Sequence, residues 1–420
     1  MEQLNTGICI IGAGPAGVLT SLMLSKNGIK SILIDKETFP RYKACADCIT
    51  GNTIRIVKEI DPDLIKGLVA KEDIVTINGV YAYSSSLNKL KVPFKNLEKD
   101  LDEPSCYGIS RLEFDNHLIN LAKKDDNITV IENFNASNVY IKNEKAFVKE
   151  LNGKTIIADL LVVANGSNSI LSEQLGKFKK QEKHTAVGIR GYFRNVTMPY
   201  PNYCELFLFR KLMPGGAYLT PLPNNMVNMN LVVRMDKLKK HKIDLKETLN
   251  EYINKHPIFK ERFKDAQLVG NLQGSTLRLG TKKRKIAGDH FVLVGDAAGL
   301  VDLLSANGLP QACMSAKIAA KHLTNAIKNN NFKKAALIDY EKEVHHATAN
   351  YLKLSKIVSP FFKSEWFLNL FDFGLNFITK KSAENEAVED LVYKGNAVKS
   401  LINPLFYRKL FFGLKNSSSS

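Results

Sequence analysis

The stretch from Ile8 to Asp35, ICIIGAGPAGVLTSLMLSKNGIKSILID, limits what this chain can fold into more than any other. Its apolar run, Ile8-Cys9-Ile10-Ile11, has the texture of a buried strand. Gly12-Ala13-Gly14-Pro15-Ala16-Gly17 follows, a G-x-G-x-x-G. Val18, Leu19, Leu22 and Met23 then mark one side of a helix, which stops at Asn27-Gly28. A second apolar run, Ile32-Leu33-Ile34, ends at Asp35. Strand, turn, helix, strand and terminal acid in this order specify a dinucleotide site where the glycines alone would not. Gly12 permits the tight turn, Gly14 lets backbone approach a pyrophosphate, and Gly17 lets the helix pack on the strand. The helix start offers free N–H groups and a positive dipole end to phosphates. A carboxylate at Asp35 can accept from both ribose hydroxyls and disfavours a 2′-phosphate.

At 420 residues the chain is long enough for two domains or one elaborated one. The net charge of +17 admits nucleic acid, anionic lipid or an acidic small molecule as partners. The basic clusters (177–183, 237–242, 282–285) are not interleaved with aromatics as a base-stacking surface would be, so no nucleic-acid partner is expected. Contact with an anionic membrane surface is the sharper alternative to a merely soluble basic surface. Six scattered cysteines make no disulfide framework. The first apolar stretch is a strand rather than a signal sequence, and no window of about twenty apolar residues suggests a spanning helix. The expected setting is cytoplasmic, with peripheral contact at the inner face of the membrane as its extension.

Further along, Phe39 to Gly51 reads as a loop, 52–70 as mostly helical, and 74–94 as a hairpin of strands. Ser110 with Glu113 forms a capping box that opens a helix. Strands follow near 128–132, 137–148 and 155–163, the last running into Asn165-Gly166-Ser167. From Val187 to Val233 the texture is that of a several-stranded sheet, and 236–267 reads as helical. A buried strand, Phe291 to Val294, ends in Gly295-Asp296-Ala297-Ala298-Gly299, and a helix is expected over Leu309 to Ile327. The tail from Ser359 is Phe- and Leu-rich. Its narrow polar stripe, Glu365, Asn369, Asp372 and Asn376, suits packing into the protein, lining an apolar tunnel or lying in a membrane surface.

The pair formed by GAGPAG and GDAAGLVDLLSANGL resembles the flavoprotein superfamily that includes p-hydroxybenzoate hydroxylase. Within it, FPRYKACADCIT, GISRLEFDNHL and GAYLTPLPNNMVNMNLVV are most similar to the geranylgeranyl reductase family. The likeness covers about residues 5–330. It implies an α/β (α+β) fold: a Rossmann-type FAD-binding domain, an interleaved antiparallel β-sheet substrate domain and a helical C-terminal tail. The FAD-binding domain would take 1–73, 101–180 and 276–345, the substrate domain 74–100 and 181–275, and the helical region 346–420. Gly12, Gly14, Gly17 and Asp35, with Pro15, Ala16 and Lys36 beside them, would hold the ADP half of FAD. Arg111 would lie near its pyrophosphate or ribityl chain, and Arg41 and Lys43 would either contact an anionic substrate or the flavin or belong to a solvated loop. Asp296, after Gly295, would bind a ribityl hydroxyl. Backbone at Gly308 and Leu309 would face the flavin N1–O2 edge, where a helix start stabilises the charge of reduced flavin.

The chain departs from that pattern. Ala46-Asp47-Cys48 replace glycines after Cys45, Gly216 stands where an aromatic residue is usual, Asn165 replaces an Asp, and Leu303 a Pro. Cys45-x-x-Cys48 reads as one substrate-facing cysteine with a bystander rather than a redox dithiol. No second C-x-x-C accompanies it, so no metal is expected. The resemblance implies an FAD-dependent oxidoreductase that reduces C=C bonds of an apolar, isoprenoid- or polyene-like small molecule. Electrons would come from NAD(P)H or another carrier through flavin N5. Cys45, Asp47 and Tyr218 are the candidate catalytic acids. The alternative is a monooxygenase, or a halogenase-like enzyme, acting through a flavin C4a-hydroperoxide.

Overall fold

The computed structural model describes residues 3–70, 73–94, 106–151, 153–302 and 306–350, with isolated positions between 353 and 376. Leu303 and most of the 346–420 region lie outside them. Three sheets organise the chain.

The first sheet is the one the Ile8–Asp35 stretch dictates. Its parallel core runs Phe291–Leu293, Thr155–Val163, Gln3–Ile11, Ser31–Ile34 and Ile128–Ile131 in spatial order. Ile8, Ile10, Leu33, Leu160 and Val162 have no exposed surface. Helices on both faces make such continuous apolar runs possible. The Pro15–Ser25 helix is buried along its whole length against the Leu309–Lys328 helix. The hairpin Ala136–Lys142/Lys145–Glu150 extends the sheet beyond Thr155–Val163.

The second sheet has seven strands: Gln267–Arg278, Thr185–Arg194, Met226–Arg234, Gly215–Leu222, Tyr203–Phe207, Gly79–Tyr83 and Lys89–Pro93. All its pairings are antiparallel except Tyr203–Phe207 against Gly79–Tyr83. One face packs on the helices Leu245–Lys255 and Pro257–Arg262 through Phe207, Leu249 and Phe259. Three strands escape a reading of the sequence. Gly270 and Gly274 interrupt the apolar alternation of the twelve-residue Gln267–Arg278. Cys48–Thr50 and Cys106–Gly108, which with Val75–Thr76 make the third sheet, are too short to carry a period.

Two buried ties fix the large sheets against each other. Arg278 leaves the second sheet to donate to Ser172 Oγ at 2.6 Å, Glu173 Oε1 at 2.6 Å and the Ala297 carbonyl at 3.2 Å. Asp47, in the loop between the sheets, accepts from Tyr192 Oη at 2.7 Å and Asn228 Nδ2 at 2.6 Å. Of the tail's polar stripe, Asp372 accepts from Ser85 and Asn376 from Asn88, both at the tip of the Gly79–Pro93 hairpin. The stripe therefore faces the protein at those two positions. Glu365 lies outside the described residues, and Asn369 is exposed.

Candidate active site

A cavity of about 470 Å³ opens between the first and second sheets. Gly14, Pro15 and Ala16 form part of its wall; Asp296, Gly308 and Leu309 form another. The two βα turns, nearly three hundred residues apart in the chain, thus border one space.

The glycines divide by what they touch. A Cβ at Gly17 would overlap the Gly12 carbonyl oxygen, and one at Gly12 would sit 2.7 Å from the Ala164 carbonyl oxygen with φ at +103°. These two are required by the protein's own packing. Gly14 is not. A Cβ there would meet nothing nearer than Arg41 Nη2 at 3.6 Å, so its bare backbone is an open cradle on the cavity side. Gly295 belongs with the packing glycines: its added Cβ would lie 2.9 Å from Ala16 Cβ. It does not line the cavity, but its N–H donates to Ser315 Oγ at 3.0 Å and holds the turn that presents Asp296. Asp35 ends its strand, buried, and accepts from the N–H groups of Ala13 at 2.7 Å and Glu37 at 2.9 Å. It thereby locks the glycine turn and keeps lone pairs for other donors. Lys36 does not join this set. It is exposed and paired with Glu37 at 3.4 Å, because the residue after the strand-ending acid points to solvent.

Arg41 and Arg111 meet on one carboxylate. Asp115, fully buried, takes Arg111 Nε at 2.6 Å and Nη2 at 2.7 Å, and Arg41 Nη1 at 3.0 Å. Burial alone would raise its pKa; Arg111 first, then Arg41 and Lys43, outweigh that and hold it below the ordinary carboxylate range. Arg41 is thus held beside Gly14 and Arg111 at the wall of the same cavity, where an anionic diphosphate would pass. Asp296 faces the cavity with Ser167 Oγ at 3.2 Å and Lys43 Nζ at 3.9 Å. The Leu309–Lys328 helix begins there: Asn307 Oδ1 caps the Leu309 N–H at 3.1 Å. Gln311 lines the same wall, is 4% exposed, and its Oε1 has no hydrogen-bond partner. An open glycine cradle, oriented arginines, a cavity-facing acid and an orphaned buried acceptor at a helix start fit FAD.

The three candidate acids part company. Cys45 and Tyr218 line the cavity. Burial, then the neighbouring Asp302, push the Tyr218 phenol up, so it stays protonated at neutral pH. Asp47 is not a lining residue. Its carboxylate is fully buried behind the loop, held by Tyr192, Asn228 and the Arg111 N–H at 3.2 Å, with its own φ at +56°. Burial first raises its pKa to about 6, against the lowering pulls of Tyr192, Arg190 and Arg111. Its role is therefore positional: it fixes the Cys45 loop against the second sheet.

Arg190 escaped the reading of the sequence. It lines the cavity at 2% exposure, stacks on the Tyr192 ring at 3.8 Å and donates to Gln273 at 2.8 Å, while its Nε lacks a hydrogen-bond partner. Nothing in VGIRGYF distinguishes it from a solvated strand arginine. Asn230 lines the wall nearby and donates to Asn228 at 3.1 Å, linking the cavity to Asp47.

A Rossmann-type half bearing the adenosine-side turn, a sheet half facing it and a cavity shared by both define the class of FAD-dependent oxidoreductases. The model of the FAD binding domain family matches residues 5–355, so the chain belongs to that family. Among curated relatives, it is 26% identical over 366 residues to digeranylgeranylglycerophospholipid reductase of Methanococcus aeolicus, covering 85% of this chain and 88% of the relative. It is 25% identical to conditioned medium factor receptor 1 of Dictyostelium discoideum, covering 80% of this chain but 66% of that longer protein. Among solved structures, a geranylgeranyl bacteriochlorophyll reductase-like protein from Thermoplasma acidophilum superposes with a TM-score of 0.73 at 20% identity, over 84% of this chain and 87% of the other. A flavin-dependent brominase superposes with a TM-score of 0.72 at 18% identity, over 92% of both chains. The structural likenesses establish the fold.

Proposed function

We propose that the protein reduces C=C bonds of an apolar, isoprenoid- or polyene-like substrate, with NAD(P)H or another carrier supplying the electrons. The observation that carries this reading is the cavity's chemistry. Beyond the polar FAD turns, the second sheet walls it with Val80, Ile189, Leu206, Val232 and Leu277. A long hydrocarbon suits such a wall, because burying apolar surface contributes about 25 cal/mol per Å². The match to the phospholipid reductase over most of both chains supports the same reading.

When bound, FAD supplies the hydride. The chain's residues bind it, exclude water and deliver a proton. An isolated alkene accepts hydride poorly, so a positioned acid matters. Tyr218 holds its proton at neutral pH and faces the cavity. Cys45 faces it too, and its thiol reaches Arg111. Arg190 supplies the apolar wall with one cationic point at which a polar end of the substrate is held.

Peripheral contact with an anionic lipid surface accompanies this reading. The chain carries a net +17. Trp366 and Phe373, seven residues apart on the tail, are 66% and 70% exposed while Asp372 turns inward. Sedimentation with anionic but not neutral vesicles is the expected result, and equal pelleting with both would refute the electrostatic part.

The test of the reaction is anaerobic incubation of the FAD-loaded protein with NAD(P)H and a polyprenyl substrate. Hydrogenated product without oxygen is expected. Product that forms only when oxygen is consumed, carrying a hydroxyl or halogen, would support the monooxygenase or halogenase-like alternative instead.

A further inference from the structure

Three of the chain's six cysteines, remote in sequence, meet at one wall of the cavity. Cys48 ends the C-x-x-C and opens the short strand Cys48–Thr50, which pairs with Cys106–Gly108. The register sets Cys48 against Gly108 and Thr50 against Cys106, so Cys48 and Cys106 fall on the same face. Their Sγ atoms are 2.8 Å apart. Cys204, from the second sheet, is close enough to Cys48 for each thiol to shift the other's pKa. Cys48 and Cys204 line the cavity, whereas Cys106 is sealed behind at 0% exposure. Among the described residues, no three His, Cys, Asp or Glu side chains are grouped to hold a metal. The thiols are free. A disulfide requires about 2.05 Å between sulfurs, so only about 0.8 Å separates this pair from a bond.

We propose that Cys48 and Cys106 form a peroxide-reactive dithiol whose substrate is hydrogen peroxide entering through the flavin cavity. Cys48 meets the oxidant, because it faces the cavity. Its thiolate attacks one peroxide oxygen, the O–O bond breaks, and hydroxide leaves with a proton to become water. Cys48 is then a sulfenic acid. Cys106 attacks that sulfur, the S–O bond breaks, and the sulfenic oxygen leaves as a second water after taking the Cys106 proton. The sum is two thiols plus hydrogen peroxide giving one disulfide and two waters. The sulfurs are oxidised and the peroxide oxygens reduced. An external thiol restores the pair by exchange. Contact with Cys106 first, and then burial, hold the Cys48 thiol well above its ordinary range, and burial pushes Cys106 up. The reaction should therefore quicken as pH rises and more thiolate forms. This inference does not depend on which substrate the flavin reduces.

The experiment is peptide mapping of the full-length FAD-loaded protein under non-reducing conditions, after stoichiometric hydrogen peroxide. The expected result is loss of two hydrogens and a Cys48–Cys106 cross-link that a reducing thiol removes. C45S should keep that cross-link. C106S should lose it entirely and carry a Cys48 sulfenic acid trapped by a dione probe. A Cys45–Cys48 or Cys48–Cys204 link as the sole product, or six intact thiols, would overturn the assignment. Should C106S fail to fold, the map of the unaltered chain decides alone.

Discussion

At the scale of single residues, Asp47 shows what burial does to a charge. Its carboxylate has two side-chain donors and one backbone donor, yet its pKa is raised to about 6 because burial outweighs them. The sign of the consequence is fixed. The unfolded chain releases this proton near pH 4 and the folded chain near 6, so the folded state binds more protons between them. Stability contributed by Asp47 is complete below the unfolded value and is lost as pH rises through the folded one. Two pKa units correspond to about 3 kcal/mol. The expected outcome is a steeper fall in the unfolding free energy of the unaltered protein than of D47N between these pH values, read by urea titration. Parallel curves would mean that folding leaves the Asp47 pKa at its unfolded value. D47A should cost about 3 kcal/mol through the unpaired Tyr192 and Asn228 groups.

At the scale of elements, the glycine turn separates packing from binding. G17A drives a methyl group into the Gly12 carbonyl and should cost at least about 2 kcal/mol of stability. G14A brings its methyl group no closer than ordinary van der Waals contact with Arg41 Nη2, at 3.6 Å, so the ligand-free protein should melt as before. Its FAD affinity should fall about tenfold, or ~1.4 kcal/mol, in a flavin fluorescence titration. If G14A unfolds early while binding FAD normally, the division is wrong. These turns were readable because their signals are local: a few residues specify both the backbone path and the helix start. The loop at 45–48 was only half readable. Its neighbours in sequence say nothing of Tyr192, Asn228 or Cys106, and those contacts decide that Asp47 is buried and that Cys48 sits against a second thiol. Arg190 was missed for the same reason, since an inward-facing arginine and a solvated one look alike on a strand.

At the scale of the whole molecule, the cavity belongs to neither sheet alone. Arg111 and Gly14 stand on one side, Tyr218 and Asn230 on the other. The Arg278 cluster and Asp47 already couple the two halves through buried hydrogen bonds. A ligand in this space therefore stabilises both halves together. At a free FAD concentration of about 100 times Kd, the folded state should gain ~2.7 kcal/mol. The loss of far-UV circular dichroism and the release of flavin fluorescence should then coincide in one transition. Flavin bound to the first half alone would leave the second sheet melting separately at its ligand-free temperature, and two resolved transitions would show that. A single transition that moves upward with FAD in the unaltered chain, and moves less in G14A at the same flavin concentration, is what a shared cavity requires.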